Sequence, residues 1–314
     1  MSTPSWRLAF FGTPSFALPS LQKLTQGPDE VVAVVTQPDR EKGRGRKVVP
    51  SPVKEYALQK GLSLLQPEKV KEVDFQEKLK TIGADLFVVA AYGQILPKTL
   101  LNFPKYGAVN VHASLLPKYR GSAPIAWVIL NGEKKTGVTT MLMDEGMDTG
   151  DILLQAEVPI HEDETTESLH DRLASLGAQL LSETLEMMKR EKIHPIPQDP
   201  SKATYAPMLK KEDGHIDWTK GAEEIDRQVR AFRPWPGAYT EWKGQMLKIY
   251  KGEARKGKTT ERAGTVLWVS TDFVEVETGK DSYLLKEVQL EGKRRMSIRD
   301  FLSGHPISVG AVLR

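Results

Sequence analysis

Residues 6–36, WRLAFFGTPSFALPSLQKLTQGPDEVVAVVT, alternate strand, helix and strand. WRLAFFG (6–12) reads as a strand ending at a Gly-Thr-Pro turn, and FALPSLQKLTQ (16–26) as a helix. VVAVVT (31–36) follows with almost no polar position. A strand that is apolar on both faces belongs in a parallel sheet covered by helices, because one solvated face would impose alternation. The same grammar continues outward. Ser51-Pro52 opens a helix, with serine as N-cap and proline in the first turn. A short strand near 62–66, a helix near 74–82, the apolar strand ADLFVVAAY (84–92) and the strand GAVNVHAS (107–114) follow. A helix around 123–131, a strand around 137–143 and a long helix from Glu167 to Lys189 complete a Rossmann-like, mostly parallel α/β domain over 1–189.

Residues 190–208 hold four prolines and little periodicity, and read as a linker. Beyond them a helix (221–232) gives way to the short runs AYTEW, QMLKIY, TVLWVS, FVEVET and SYLLKEVQL, which predict a small OB-like β-barrel over 209–314. Two domains suit a chain of 314 residues. The absence of cysteine removes disulfides, thiolate metal sites and a cysteine nucleophile, and fits a reducing compartment. There is no transmembrane run and no signal-like start, so the expected location is the cytoplasm. The net charge of +3 hides an asymmetry: residues 243–262 hold seven Lys/Arg against two acids.

The chemistry concentrates in VNVHASLLPKYRGSAPI (109–125). Side chains alternate along a strand, so Asn110 and His112 share a face at the carboxyl end, where open parallel sheets hold their ligands. Downstream, MDEGMDTGD (143–151) can bring Asp144, Asp148 or Asp151 close on a Gly-rich loop. A carboxamide, an imidazole and a carboxylate together suit addition of a nucleophile to a carbonyl carbon, through oxyanion hydrogen bonding and proton transfer. Taken alone, a histidine such as His112 is more often a hydrogen-bonded structural residue.

VNVHASLLPKYRGSAPI followed by GVTTMLMDEGMDTGDIL resembles the signature of folate-dependent formyltransferases. FFGTPSFALPSL (10–21), VVTQPDREKGRGRKVVPSPVK (34–54), ADLFVVAAYGQILP (84–97) and RAFRPWPGAY (230–239) extend the likeness nearly end to end. The resemblance implies 10-formyltetrahydrofolate as co-substrate, no metal, and Asn110, His112 and Asp148 as the catalytic set. It implies folate contacts from Ser114, Leu115, Leu116 and Pro117. The pterin wall would run through Val88, Val89, Ala90, Ala91 and Tyr92, with Asp144 on the opposing 144–148 loop. His112, oriented by Asp148, would take the proton of the attacking amine, and Asn110 with protonated His112 would hold the oxyanion.

QPDREKGRGRKVVP (37–50) sets Lys42, Arg44, Arg46 and Lys47 among glycines, a cationic loop suited to a phosphate backbone or unpaired bases. By itself such a loop is more often solvated surface. The resemblance matches it to the loop that family members insert at the acceptor stem of initiator tRNA, which makes initiator Met-tRNA the expected partner of a monomeric enzyme. In the C-terminal part, Lys248, Lys251, Arg294 and Arg295 are the expected backbone contacts. GRGRK lacks the spacing of a phosphate-binding P-loop, and FFGTPSFA lacks a dinucleotide fingerprint. Two rivals remain. A formyltransferase of the same fold acting on an amino-sugar nucleotide would not need GRGRK or a basic barrel. A non-enzymatic tRNA-binding protein would not need Asn110, His112 and Asp148.

Overall fold

The computed structural model describes residues 4–42, 47–257 and 261–314. It divides into two compact units. The first comprises residues up to Pro124, Lys135–Pro159 and His170–Ala206, and the second Ile125–Lys134, Ile160–Leu169 and Pro207–Arg314.

In the first unit, β1 (Arg7–Gly12), α1 (Leu18–Thr25) and β2 (Glu30–Val35) form the expected strand-helix-strand unit, with β1 and β2 parallel. The short strands β3 (Arg40–Lys42) and β4 (Lys47–Val49) pair antiparallel, Lys42 opposite Lys47. Then come α2 (Pro52–Gln59), β5 (Leu64–Leu65), α3 (Val73–Ile82), β6 (Leu86–Ala90), α4 (Lys98–Leu101) and β7 (Ala108–His112). The helix α5 (Pro124–Leu130) leads to β8 (Lys135–Leu142) and β9 (Ile152–Pro159), and α6 spans Thr166–Lys189. The sheet order is β5-β2-β1-β6-β7-β8-β9. Its first five strands run parallel, and β8 and β9 are antiparallel additions. Strand order reverses between β1 and β6, so the ligand crevice of such a sheet opens at the carboxyl ends of these strands.

Local chemistry accounts for the elements. The Ser51 hydroxyl accepts from the Lys54 amide at 3.1 Å and caps α2, as the Ser-Pro pair predicts. β1, β6 and β7 are buried almost throughout. α6 approaches β7 through Gly177: a Cβ there would stand 2.8 Å from Val111 Cγ1. Val111 therefore faces α6, and alternation turns Asn110 and His112 to the other side of the strand.

The second unit contains α7 (Ala222–Ala231), β10 (Ala238–Trp242), β11 (Gln245–Arg255), β12 (Val266–Val269), β13 (Val274–Glu277), β14 (Ser282–Leu290), β15 (Met296–Ser297) and α8 (Ile298–Gly304). Its strands form one antiparallel sheet in the order β10-β11-β14-β13-β12, with β15 also paired to β14. Trp218, Ile225, Trp242, Tyr283, Leu285 and Phe301 are among its core. Among the described residues no helix is long and apolar enough to cross a membrane.

Candidate active site

β7 carries Asn110 and His112 to its carboxyl end, 9% and 6% exposed. The His112 Nε2 lies 3.0 Å from the Tyr119 carbonyl oxygen. A carbonyl can only accept, so Nε2 carries a proton and donates, and the neutral ring keeps its lone pair on Nδ1. Nδ1 faces Asp148 Oδ2 at 3.7 Å, too long for a hydrogen bond. The Asn110 carboxamide has no hydrogen-bond partner among the described residues, so its donors are available to a ligand.

Asp148 is held in the left-handed region at φ 54°, a conformation that aspartate tolerates better than most residues. Its Oδ2 accepts from the Gly121 amide at 2.8 Å. The preceding turn is shaped by Asp144, whose Oδ1 accepts from the Gly146 amide at 3.0 Å and the Thr149 hydroxyl at 2.6 Å. Gly150 has to be glycine, since a Cβ would fall 1.7 Å from the Leu142 carbonyl oxygen.

The Ser114-Leu115-Leu116-Pro117 turn is docked on β8. Thr139 Oγ1 donates to Ser114 O at 2.6 Å and accepts from Leu116 N at 3.1 Å, while Gln155 Nε2 donates to Leu116 O at 2.9 Å. The Ser114 hydroxyl donates to Lys118 O at 2.6 Å. Of the expected wall, Val88, Val89, Ala90 and Tyr92 are buried and Ala91 is exposed. Asp144 is exposed.

Two side chains of this unit were not anticipated. Arg120 is 4% exposed, and its Nε and Nη2 donate to Gln198 Oε1 at 3.1 and 2.7 Å. Gln198 Nε2 in turn donates to the carbonyls of Asp148 at 2.9 Å and Gly150 at 2.7 Å. Arg120 stands inside the quoted signature and could have been weighed. Gln198 carries no sequence signal, lying in the proline-rich stretch read as a linker.

The basic residues divide differently. Arg44 and Arg46 lie outside the described residues, and Lys42 and Lys47 are placed only as a backbone pair in the β3–β4 ribbon. The base of that ribbon is tied by Asp39, whose Oδ2 accepts from Lys54 Nζ at 2.5 Å and Oδ1 from Gln66 at 3.1 Å. These bonds hold the Asp39 carboxyl below its ordinary pKa, the one from Lys54 contributing most. In the second unit, Lys251 and Arg294 are exposed, whereas Lys248 Nζ reaches the Pro236 carbonyl at 3.4 Å. Arg295 makes a two-pronged pair with Glu287, both contacts 2.6 Å, over the Tyr250 ring. That pairing lowers the Glu287 pKa. A cavity of about 910 Å³ beside it contains matched charges, Arg230 with Asp226 and Arg295 with Glu287. Among the described residues no group of three or more His, Cys, Asp or Glu side chains is arranged to hold a metal ion.

The mostly parallel sheet gives the fold class, and comparison with known proteins gives the family. Residues 6–185 match the family described as formyl transferase, and residues 208–306 match the formyl transferase C-terminal domain. The chain belongs to this family, and within it to the methionyl-tRNA formyltransferases. It is 52% identical over 309 residues to the methionyl-tRNA formyltransferase of Caldanaerobacter subterraneus subsp. tengcongensis, covering 98% of this chain and 100% of that one. The Citrifermentans bemidjiense enzyme of the same name is 50% identical, over 98% of this chain and 96% of its own. HypX from Aquifex aeolicus, solved in complex with tetrahydrofolic acid, matches in fold with a TM-score of 0.66 at 18% identity, over 98% of this chain and 48% of that one.

Proposed function

We propose that the protein transfers the formyl group of 10-formyltetrahydrofolate to the α-amino group of methionine on initiator Met-tRNA, acting in the cytoplasm as a single chain. The observation that carries this reading is the trio at the end of β7. An unpartnered carboxamide stands two residues from an imidazole whose Nδ1 is free to accept and faces a carboxylate at 3.7 Å. An ordinary α-amine has a pKa of about 7.7–8.0, so near neutral pH a useful fraction is already nucleophilic.

The amine nitrogen adds to the formyl carbon, and the carbonyl electron pair moves onto oxygen. The Asn110 Nδ2–H group donates to that oxyanion. The excess proton passes from the attacking nitrogen to His112 Nδ1, directly or through a water, and the new imidazolium is stabilised by Asp148. The oxyanion then re-forms its carbonyl, the bond to N10 of the folate breaks, and N10 takes the proton back. Formylmethionyl-tRNA and tetrahydrofolate leave, and His112 is neutral again. Ser114 to Pro117, Asp144 and the backbone around Ala91 hold the folate. Lys42, Arg44, Arg46 and Lys47 meet the acceptor end of the tRNA, and Lys248, Lys251, Arg294 and Arg295 its phosphate backbone.

Asn110→Ala and His112→Ala test the assignment. Each is expected to lower kcat by about 10²–10³-fold, the worth of an oxyanion or proton-transfer group, while tRNA affinity in a filter-binding assay stays within twofold. Single-turnover formylation at the parent rate would remove the substituted residue from the mechanism.

A further inference from the structure

Arg120 is buried to 4% exposure and has no carboxylate partner among the described residues. Placing a full charge against a neutral amide is costly, so a guanidinium kept this way is expected to serve something specific. Its Nε and Nη2 donors both end on one atom, Gln198 Oε1. An amide oxygen bound by two guanidinium donors cannot exchange places with its nitrogen, because the NH₂ group would then meet only donors. The orientation of Gln198 is thereby fixed, and its Nε2 is aimed at the Asp148 and Gly150 carbonyls at 2.9 and 2.7 Å.

Those carbonyls belong to the turn that presents the Asp148 carboxylate from a left-handed backbone at φ 54°. The carboxylate itself accepts from Gly121, the residue after Arg120. Positions 120–121, 148–150 and 198 thus close a ring of hydrogen bonds, one side of which is the carboxylate facing His112. We infer that Arg120 and Gln198 are positioning residues for the Asp148 carboxylate: Arg120 orients the amide, and the amide fixes the backbone that carries the reacting group. The inference rests on the reading of Asp148 given above.

The full-length Q198E variant separates positioning from anchorage. The substitution keeps the shape and strengthens the link to Arg120 to an ion pair, but it turns the donor aimed at two carbonyls into an acceptor. If the contact only anchors the 190–206 segment, Q198E leaves kcat unchanged. If it positions Asp148, kcat for formyl transfer to Met-tRNA falls about ten- to hundred-fold, the scale of a small misplacement of a reacting group, while the KM for tRNA and the thermal midpoint hold. R120K, which keeps the charge but loses the guanidinium fork, is expected to show the same kcat-specific loss and carries the test if Q198E does not fold. D148N is measured in parallel. Parent-level kcat in Q198E and R120K beside an impaired D148N would overturn the positioning role. A fully active D148N would overturn the reading of Asp148 itself, and a matched loss of kcat, KM and thermal midpoint would mark general disruption and equally overturn the inference.

Discussion

The Tyr92 hydroxyl and the Asn110 carboxamide are both buried polar groups without a hydrogen-bond partner among the described residues, yet their surroundings differ. Tyr92 sits 2% exposed in the core of the first unit, its ring edge-on to Phe11 with centroids 5.4 Å apart. Burial pushes its hydroxyl pKa well up, because a phenolate there would be neither hydrated nor paired. Its hydroxyl is sealed from a ligand, whereas Asn110 lies two residues from His112 on the same face of β7. Tyr92→Phe removes only an unsatisfied donor, so stability measured by urea denaturation is expected to hold or rise by up to about 1 kcal/mol, with the KM for the folate unchanged. A loss of more than about 1 kcal/mol would show that the hydroxyl is satisfied after all. At this scale the sequence was half legible. That Asn110 and His112 share a face follows from strand alternation alone, while their place in a catalytic set is what the resemblance implies. The Tyr119 carbonyl that fixes the histidine tautomer and the Gln198 amide behind Asp148 are tertiary contacts, 7 and 50 residues away from the groups they hold, and no local period encodes them.

Among the elements, β8 does more for the site than its own sequence announces. Thr139 is fully buried, and its one hydroxyl serves Ser114 O, Leu116 N and Gln155 Nε2. Thr139→Val keeps the shape but leaves a buried carbonyl and amide of the Ser114–Pro117 turn short of a partner. A cost of about 1–3 kcal/mol in urea denaturation is expected, together with a raised KM for the folate. A variant with parent stability would mean that Gln155 alone holds the turn. Where a strand is apolar and central, as in β1, β6 and β7, its pattern predicts it. β9 was missed because it lies at the sheet edge: along Ile152–Pro159 only Leu153 is buried. β11 runs five residues past QMLKIY because Gly252 leaves room for the Tyr283 ring, which a Cβ there would meet at 2.4 Å. That complementarity between paired strands is invisible to either strand read alone.

For the whole molecule, the net charge of +3 says little, and its distribution says more. Residues up to 190 are nearly neutral, and the excess of base lies beyond them and in the loop around GRGRK. A formyl acceptor with a phosphate backbone gives both features a use, whereas a small amino sugar gives them none. In the second unit part of that charge is paired locally, Arg295 with Glu287 and Arg299 with Asp272. The most direct measurement supplies the purified protein with 10-formyltetrahydrofolate and, separately, initiator Met-tRNA, elongator Met-tRNA and an amino-sugar nucleotide, and follows the transferred formyl group. Formylation of initiator Met-tRNA, with little on the elongator, a steep fall with added salt and none on the sugar, is the expected result. Transfer to the amino sugar with none to either tRNA would contradict it.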